Sequence, residues 1–226
     1  MRGARTSTDD HRVSVDAGRS CDNACMASRA QAVPMSEEEY FRLLERSIHK
    51  YEYWDGFAVS MAGAQPDHVR IETNLVGELF GRLRGKDCLP LVSNQAVRLA
   101  GAKGYVFPDV TVVCGKPEYI VRQGIGCLVN PTVVIEVLSP STAARDEVDK
   151  LLAYTAVRTI REYLVVSVER YAVKIFFRRQ AEETWSVRLY TLLTDSVDLE
   201  SCGCQITLAE IYAGVEAPER DDLPVG

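Results

Sequence analysis

Two neighbouring stretches decide the fold: Y-V-F-P-D-V-T-V-V-C at residues 105–114, and P-T-V-V-I-E-V-L-S-P-S-T-A-A-R-D-E-V-D-K-L-L-A-Y at residues 131–154. Each contains an apolar run that predicts a strand, and each run carries one acid. Asp109 follows Pro108 at the head of the first run, where a sheet tolerates proline, so this pair predicts the beginning of a strand. Glu136 interrupts the second run, residues 133–138, which is apolar on both faces like a fully buried strand.

An acid in a buried strand needs a partner, because burying a lone carboxylate costs several kcal/mol or keeps the group protonated. Two acids on adjacent strands suit a hard divalent cation such as Mg2+. Lys150 lies on the helix predicted after the second strand. The order carboxylate, carboxylate, lysine is the one that metal-dependent phosphodiester hydrolysis requires: the acids hold the cation, and the lysine positions water or offsets negative charge. The alternative is a chance Pro-Asp pair and a solvated glutamate at a strand end.

The same stretch resembles a known family. Pro108-Asp109, the E-V-L-S-P-S-T segment at residues 136–142 and the helix from Asp146 to Lys150 are similar to the motifs of the Uma2 type of restriction endonucleases, a branch of the PD-(D/E)-x-K nuclease superfamily. Upstream, Y-E-Y-W-D-G at residues 51–56 and the following Asp67-His68 helix belong to the resemblance. Downstream, the R-E-Y-L-V-V-S-V strand belongs to it, and the likeness covers roughly residues 35–213.

The resemblance implies an α/β fold of the mixed-sheet, α+β kind, with a restriction-endonuclease-like α-β-β-β-α-β core preceded by an N-terminal helix and hairpin. It implies an endonuclease that holds Mg2+ or Mn2+ with Asp109, Glu136 and the backbone carbonyl of Val137. The superfamily's lysine usually stands two residues after the glutamate, where this chain has Leu138. The resemblance therefore implies that Lys150 has taken over this role.

Two further residues enter as accessory candidates. Glu52, on the first arm of a predicted hairpin, is implied to face the metal site, and an exposed strand residue is the alternative. His68, in the first turn of a predicted helix, matches a histidine of the family pattern, although a histidine there is more often a surface or cap residue. On a helical wheel Lys150 falls at one edge of a broad apolar arc, which supports its role only weakly.

Composition sets the remaining bounds. The formal net charge is −6, which argues against tight nonspecific binding to nucleic acid. A nuclease with an acidic site can still be acidic overall, because it needs only a local basic groove. No run approaches the roughly 18 apolar residues of a membrane span. We expect a cytoplasmic protein that does not bind a membrane. Its expected partner is nucleic acid, with DNA preferred over RNA as the candidate. A homodimer is compatible with the sequence, which does not decide the oligomeric state.

The chain has seven cysteines, at positions 21, 25, 88, 114, 127, 202 and 204. This odd, scattered set favours a reduced chain over a disulfide framework. Cys202-Gly-Cys204 and Cys21-x-x-x-Cys25 could share a zinc ion, but neither has the spacing of a common zinc module and no second clear pair accompanies them.

Residues 1–34 lack apolar periodicity and are expected to be a disordered leader; a translated leader before a true start at Met35 is an alternative. Residues 35–213 should form one domain, and residues 214–226 a C-terminal tail. In the first half of the domain we predict a capped helix at 37–47, a hairpin around Asp55-Gly56, a helix from Asp67 to near Gly85, and a strand at 91–99 paired with the Asp109 strand. In the second half we predict an irregular loop at 115–130, a helix capped by Ser141 or Thr142, and an antiparallel meander at 162–168, 171–178 and 184–193.

The sequence leaves two functions open. The first is a metal-dependent endonuclease built on Asp109, Glu136 and Lys150. The second is a catalytically inactive binding or regulatory module that keeps the nuclease fold, which the acidic charge and Leu138 favour.

Overall fold

The computed structural model describes residues 32–61, 63–99, 104–138, 143–181 and 183–216. The helices in these ranges are α1 (Glu37–Arg46), α2 (Pro66–Leu83), α3 (Ala143–Thr155) and α4 (Leu208–Ile211). The strands are β1 (Ala32–Pro34), β2 (Tyr51–Trp54), β3 (Phe57–Ser60), β4 (Cys88–Val92), β5 (Ala96–Leu99), β6 (Gly104–Val106), β7 (Val110–Cys114), β8 (Tyr119–Arg122), β9 (Ile125–Leu128), β10 (Val133–Leu138), β11 (Glu162–Ser167), β12 (Val173–Phe177), β13 (Ser186–Tyr190), β14 (Ser196–Leu199) and β15 (Cys204–Thr207), with a 3-10 turn at Glu200–Cys202.

A six-stranded sheet, ordered β13-β12-β11-β10-β7-β4, forms the centre of the domain. The parallel pair β10–β11 is joined by the crossover helix α3, and the other neighbours in this sheet are antiparallel. In chain order α2, β4, β7, β10, α3 and β11 give the predicted α-β-β-β-α-β succession.

The alternation of side chains along β10 decides where Glu136 lies. Val133, Ile135 and Val137 pack in the core that contains α2 and α4. Val134 and Leu138 pack in a second core that contains α3. Because successive side chains of a strand point to opposite faces, Glu136 belongs to the α3 face of the sheet.

A second sheet, ordered β1-β3-β2-β6-β5-β9-β8, carries α1. The predicted capping box is present, with the Ser36 hydroxyl accepting from the Glu39 amide and the Glu39 carboxylate accepting from the Ser36 amide. The predicted hairpin is also present, and its turn uses positive φ at Asp55 (43°) and Gly56 (91°). Tyr40 of α1 lies in an aromatic cluster that joins this helix to the sheet.

The predicted single strand at 91–99 is wrong. The segment divides at residues 93–95, where the backbone N–H of Gln95 donates a hydrogen bond to the Val92 carbonyl and so forms a turn. The first part, β4, pairs with β7, and the second part, β5, pairs with β6 in the other sheet. The polar Ser-Asn-Gln segment is the physical cause, since such residues favour turns over strand continuation.

The predicted irregular loop at 115–130 is also wrong, because it contains the β8–β9 hairpin. Its turn residues, Gln123 and Gly124, both have positive φ, at 46° and 81°. Two such residues in succession match the right-handed twist of the flanking strands. The hairpin β14–β15, close to the end of the domain, was not predicted either.

The described residues include the end of the expected leader and the beginning of the expected tail. Residues 32–34 of the expected leader form β1, which pairs antiparallel with β3. Val215, within the expected tail, is buried against the main core. Residues 1–31 and 217–226, together with the expected helix caps Ser141 and Thr142, lie outside the described residues.

Cys88 and Cys114, facing each other across β4 and β7, form a disulfide. The sequence favoured a reduced chain, so this pairing corrects that expectation. The partners are 26 residues apart and only the strand register brings them together.

None of the helices within the described ranges is long and apolar enough to cross a membrane.

Candidate active site

Glu136 is the most deeply buried acid of the candidate site, with 3% of its surface exposed. Its Oε1 accepts a hydrogen bond of 2.6 Å from the Tyr154 hydroxyl, and its Oε2 lies 3.1 Å from the Lys150 ammonium. Tyr154 and Lys150 are four residues apart on α3, so their side chains lie on the same side of that helix. The crossover helix therefore supplies both partners of the strand acid.

Lys150 is the cation of the cluster and is itself buried, with 6% exposure. Its ammonium also lies 3.6 Å from Glu52 Oε1, on β2 of the second sheet. Glu52 is fixed in turn, because its Oε2 accepts from the Trp54 indole N–H at 2.9 Å and its Oε1 from the Phe107 amide at 3.4 Å. One buried lysine thus lies between two buried glutamates from different sheets.

Asp109 stands just before β7, one residue beyond the last paired position with β10. Its Oδ2 accepts a hydrogen bond of 2.7 Å from the Val137 amide, and its Oδ1 lies 3.2 Å from His68 Nε2 on α2. In a strand the N–H and C=O of one residue point to the same side, so the Val137 carbonyl also faces β7. The structure therefore brings Asp109 to the backbone segment that carries Glu136.

Among the described residues of this cluster, the three carboxylates of Glu52, Asp109 and Glu136 outnumber Lys150 and His68, which face them. The pKa of Glu136 is raised to about 8, mainly by burial and to a lesser extent by the carboxylates of Asp109 and Glu52, against the lowering effect of Lys150 and the Tyr154 hydroxyl. The hydrogen bond to Asp109 raises the pKa of His68 above its ordinary value, although partial burial opposes this. The site therefore stabilises positive charge and destabilises additional negative charge.

Glu72 is a functional candidate that sequence reasoning missed. Its carboxylate, His68 and Asp109 offer ligand atoms that all lie within 4.8 Å of one another. The signal was available, because His68 and Glu72 are four residues apart on α2. In the described ranges no such set of three includes Glu136, whose two oxygens are occupied by Tyr154 and Lys150.

All the residues singled out from the sequence therefore gather in one region. Asp109, Glu136, Lys150 and Glu52 form a nearly continuous polar cluster under α3, and His68 extends it to α2. A separate cavity of about 170 Å³ shares none of these residues; it is lined by other groups that include Glu162, Arg178, Arg179 and Arg188.

The family model described as "Putative restriction endonuclease", Uma2, matches residues 37–209. The chain belongs to the Uma2 family. This confirms the resemblance that the motifs around Asp109 and Glu136 indicated, and the matched segment contains every residue of the candidate site.

Relatives of this Uma2 protein extend over most of its length. It is 30% identical over 181 residues to "Uncharacterized protein slr1290" of Synechocystis sp. strain PCC 6803, covering 80% of this chain and 93% of the relative. It is 26% identical over 166 residues to "Uncharacterized protein sll1609" of the same organism, covering 74% and 92%.

A solved structure supports the fold. The crystal structure of "a putative nuclease belonging to DUF820" from Anabaena variabilis superposes with a TM-score of 0.61 at 15% identity, covering 77% of this chain and 96% of that one. The predicted mixed α+β, nuclease-like fold is thereby confirmed.

Proposed function

We propose that this Uma2 protein is a metal-dependent endonuclease that hydrolyses phosphodiester bonds of nucleic acid, with DNA as the favoured candidate substrate. The observation that carries the proposal is the buried cluster in which Lys150 lies between Glu136 and Glu52, with Asp109 held on the Val137 amide next to Glu136. Buried acids in excess of their cations are costly to a fold unless the site has a use for the charge.

The donor set fits a hard divalent cation. Asp109, Glu136 and the Val137 carbonyl offer only oxygen atoms, which are the ligands that Mg2+ and Mn2+ prefer. A bound cation would also relieve the repulsion that raises the pKa of Glu136. When present, it supplies a Lewis acid for a phosphoryl oxygen and a water that is more readily deprotonated.

The surrounding side chains have separate tasks. Tyr154 orients Glu136 through its 2.6 Å hydrogen bond, and the Val137 amide fixes Asp109. The Lys150 ammonium, already within 3.1 Å of Glu136, is placed to offset the negative charge that develops on phosphate. His68 is an accessory residue that holds a proton against Asp109. Glu52 keeps Lys150 in place from the other sheet.

A cleavage assay tests the proposal. Supercoiled DNA, linear DNA and RNA are each incubated with the protein in Mg2+, in Mn2+ and in EDTA. We expect cleavage in either metal and none in EDTA, with Asp109→Asn inactive and the exposed Glu45→Gln variant as active as the wild type. Metal-independent cleavage, or an active Asp109→Asn variant, would contradict the proposed site.

A catalytically inactive binding module is the second candidate, and one observation favours it. Lys150 already bridges Glu52 and Glu136, so the site is partly neutralised without a metal ion. This alternative predicts that DNA binds with equal affinity in Mg2+ and EDTA and is not cut in either. The endonuclease proposal also includes a cytoplasmic location, where nucleic acid is accessible. That the protein forms a homodimer stays a prediction.

A further inference from the structure

Three cysteines from separate elements meet on the face of the central sheet opposite to Glu136. Cys88 lies at the start of β4, Cys114 at the end of β7 and Cys202 in the 3-10 turn. Their sulfur atoms all lie within 4.8 Å of one another, and the Cys114 and Cys202 sulfurs are 3.9 Å apart. A disulfide joins the first two and leaves Cys202, which is buried, as a free thiol against the pair.

From this geometry we infer that the three cysteines form a thiolate site for one Zn2+ ion when the Cys88–Cys114 disulfide is reduced. Zn–S bonds of about 2.3 Å in a tetrahedron place neighbouring sulfurs about 3.8 Å apart. The Cys114–Cys202 separation already has this value, at 3.9 Å. Three protein ligands leave the fourth position of the ion to water.

The reaction that opens the site balances with a cellular dithiol reductant. The dithiol transfers two electrons and two protons to the Cys88–Cys114 bond, giving two thiols and an oxidised dithiol. Zn2+ then displaces the protons of the three thiols, which go to solvent. A disulfide can use only two of the three cysteines, whereas a metal ion uses all of them.

The backbone around each sulfur is held in place. The Cys114 amide donates to Thr132 Oγ1 at 2.9 Å, and the next amide, at Gly115, donates to the Asp87 carbonyl beside Cys88 at 2.7 Å. On the other side, the Ser201 amide donates to Glu162 Oε1 at 3.1 Å and fixes the turn before Cys202. These hydrogen bonds hold the backbone next to all three sulfurs, which favours a preorganised site.

One neighbouring cation suits a site made of thiolates. Three thiolates and Zn2+ carry a net charge of −1. The Lys86 ammonium donates to the carbonyls of Cys202 and Gly203, and so places a positive charge at the edge of the cluster. Sulfur ligands select zinc over the magnesium proposed for the oxygen-lined nuclease site, and the inference does not rest on the nuclease function.

The test uses Co2+ as a spectroscopic probe for Zn2+. The full chain is reduced anaerobically with a phosphine, which removes the disulfide without adding a thiol ligand, and is titrated with Co2+. We expect a near-ultraviolet sulfur-to-cobalt charge-transfer band, its loss on adding Zn2+, and no band in unreduced protein. Oxygen ligands give no such band, so an Asp109→Asn variant should retain it even if the nuclease proposal fails.

Cys202→Ser should lose the band and bind Zn2+ at least about a hundredfold more weakly. Cys127→Ser, which changes a buried free cysteine elsewhere, is the matched control and should retain the band. A Cys21→Ser/Cys25→Ser double variant should retain it too. If Cys202→Ser does not fold, Cys88→Ser provides the same comparison. A wild type without the band, or a Cys202→Ser or Cys88→Ser variant that keeps it, overturns the inference.

Discussion

Replacing Glu136 with glutamine should make the metal-free protein more stable, and increasingly so as the pH rises. Glutamine has the shape of a protonated glutamate and still offers an oxygen to the Tyr154 hydroxyl. Lys150 keeps Glu52 as an ionic partner in the variant. The substitution therefore removes the negative charge whose burial the fold tolerates least.

The magnitude follows from the pKa of Glu136, which burial raises from an ordinary 4.5 to about 8. Between these values the folded protein binds one proton more than the unfolded chain, so the free energy of unfolding of the wild type falls as the pH rises through this window. At about 1.4 kcal/mol per pKa unit the full effect is on the order of 5 kcal/mol. The Glu136→Gln variant does not pay this penalty above pH 8.

Urea denaturation in EDTA at pH 5, 7 and 9 measures the difference. We expect the advantage of Glu136→Gln over the wild type to grow by a few kcal/mol from pH 5 to pH 9, or roughly 10 °C in Tm for a domain of this size. The exposed Glu45→Gln control should show no such trend. An advantage that stays constant across this range would refute the reasoning, because Glu136 would then not carry a buried charge at high pH.

Three further predictions concern the neighbouring residues. Mg2+ or Mn2+ should raise the Tm of the wild type, and Asp109→Asn should lose most of that rise, which a thermal-shift titration would show; equal rises would remove Asp109 from the site. Lys150→Met should reduce cleavage at saturating metal about a hundredfold or more and cost about 3 kcal/mol of stability, because Glu52 and Glu136 lose their shared cation; a wild-type rate would make Lys150 a structural residue. His68→Gln should destabilise the protein more at pH 5.5 than at pH 9 in urea denaturation, since a raised histidine pKa contributes stability at low pH that is lost as the pH rises; a larger effect at pH 9 would contradict the pairing with Asp109.

The residues singled out from the sequence lie close together in the fold, whereas several of the predicted strands differ from those observed. Asp109 and Glu136 were recognisable because a carboxylate in an apolar run is conspicuous, and the chain order brings Lys150 back over the same strand. Glu72 and Tyr154 were not singled out, because a glutamate or a tyrosine on a helix is conspicuous only through its spacing from other polar residues. Their significance comes from spacing, four residues from His68 and from Lys150, and from the partners that the fold brings to them.

The errors in the fold have a common cause. In the predicted strand at 91–99, apolar residues lie on both sides of the polar Ser-Asn-Gln segment, but the two halves pair with different sheets, which the residue pattern does not show. Pairing of Cys88 with Cys114 depends on the register of β4 against β7, which residue spacing alone does not give. Local signals such as the Ser36 capping box and the Asp55-Gly56 turn were read correctly because neighbouring residues determine them.

The central claim, that this site holds a divalent cation, is tested most directly by locating one. Crystals grown with Mn2+ and measured for anomalous scattering would show the ion's position independently of activity. We predict a peak within about 2.0–2.6 Å of carboxylate oxygens of both Asp109 and Glu136 and of the Val137 carbonyl. A peak confined to His68 and Glu72, or none at saturating Mn2+ with Glu136 still bound to Lys150, would contradict the account.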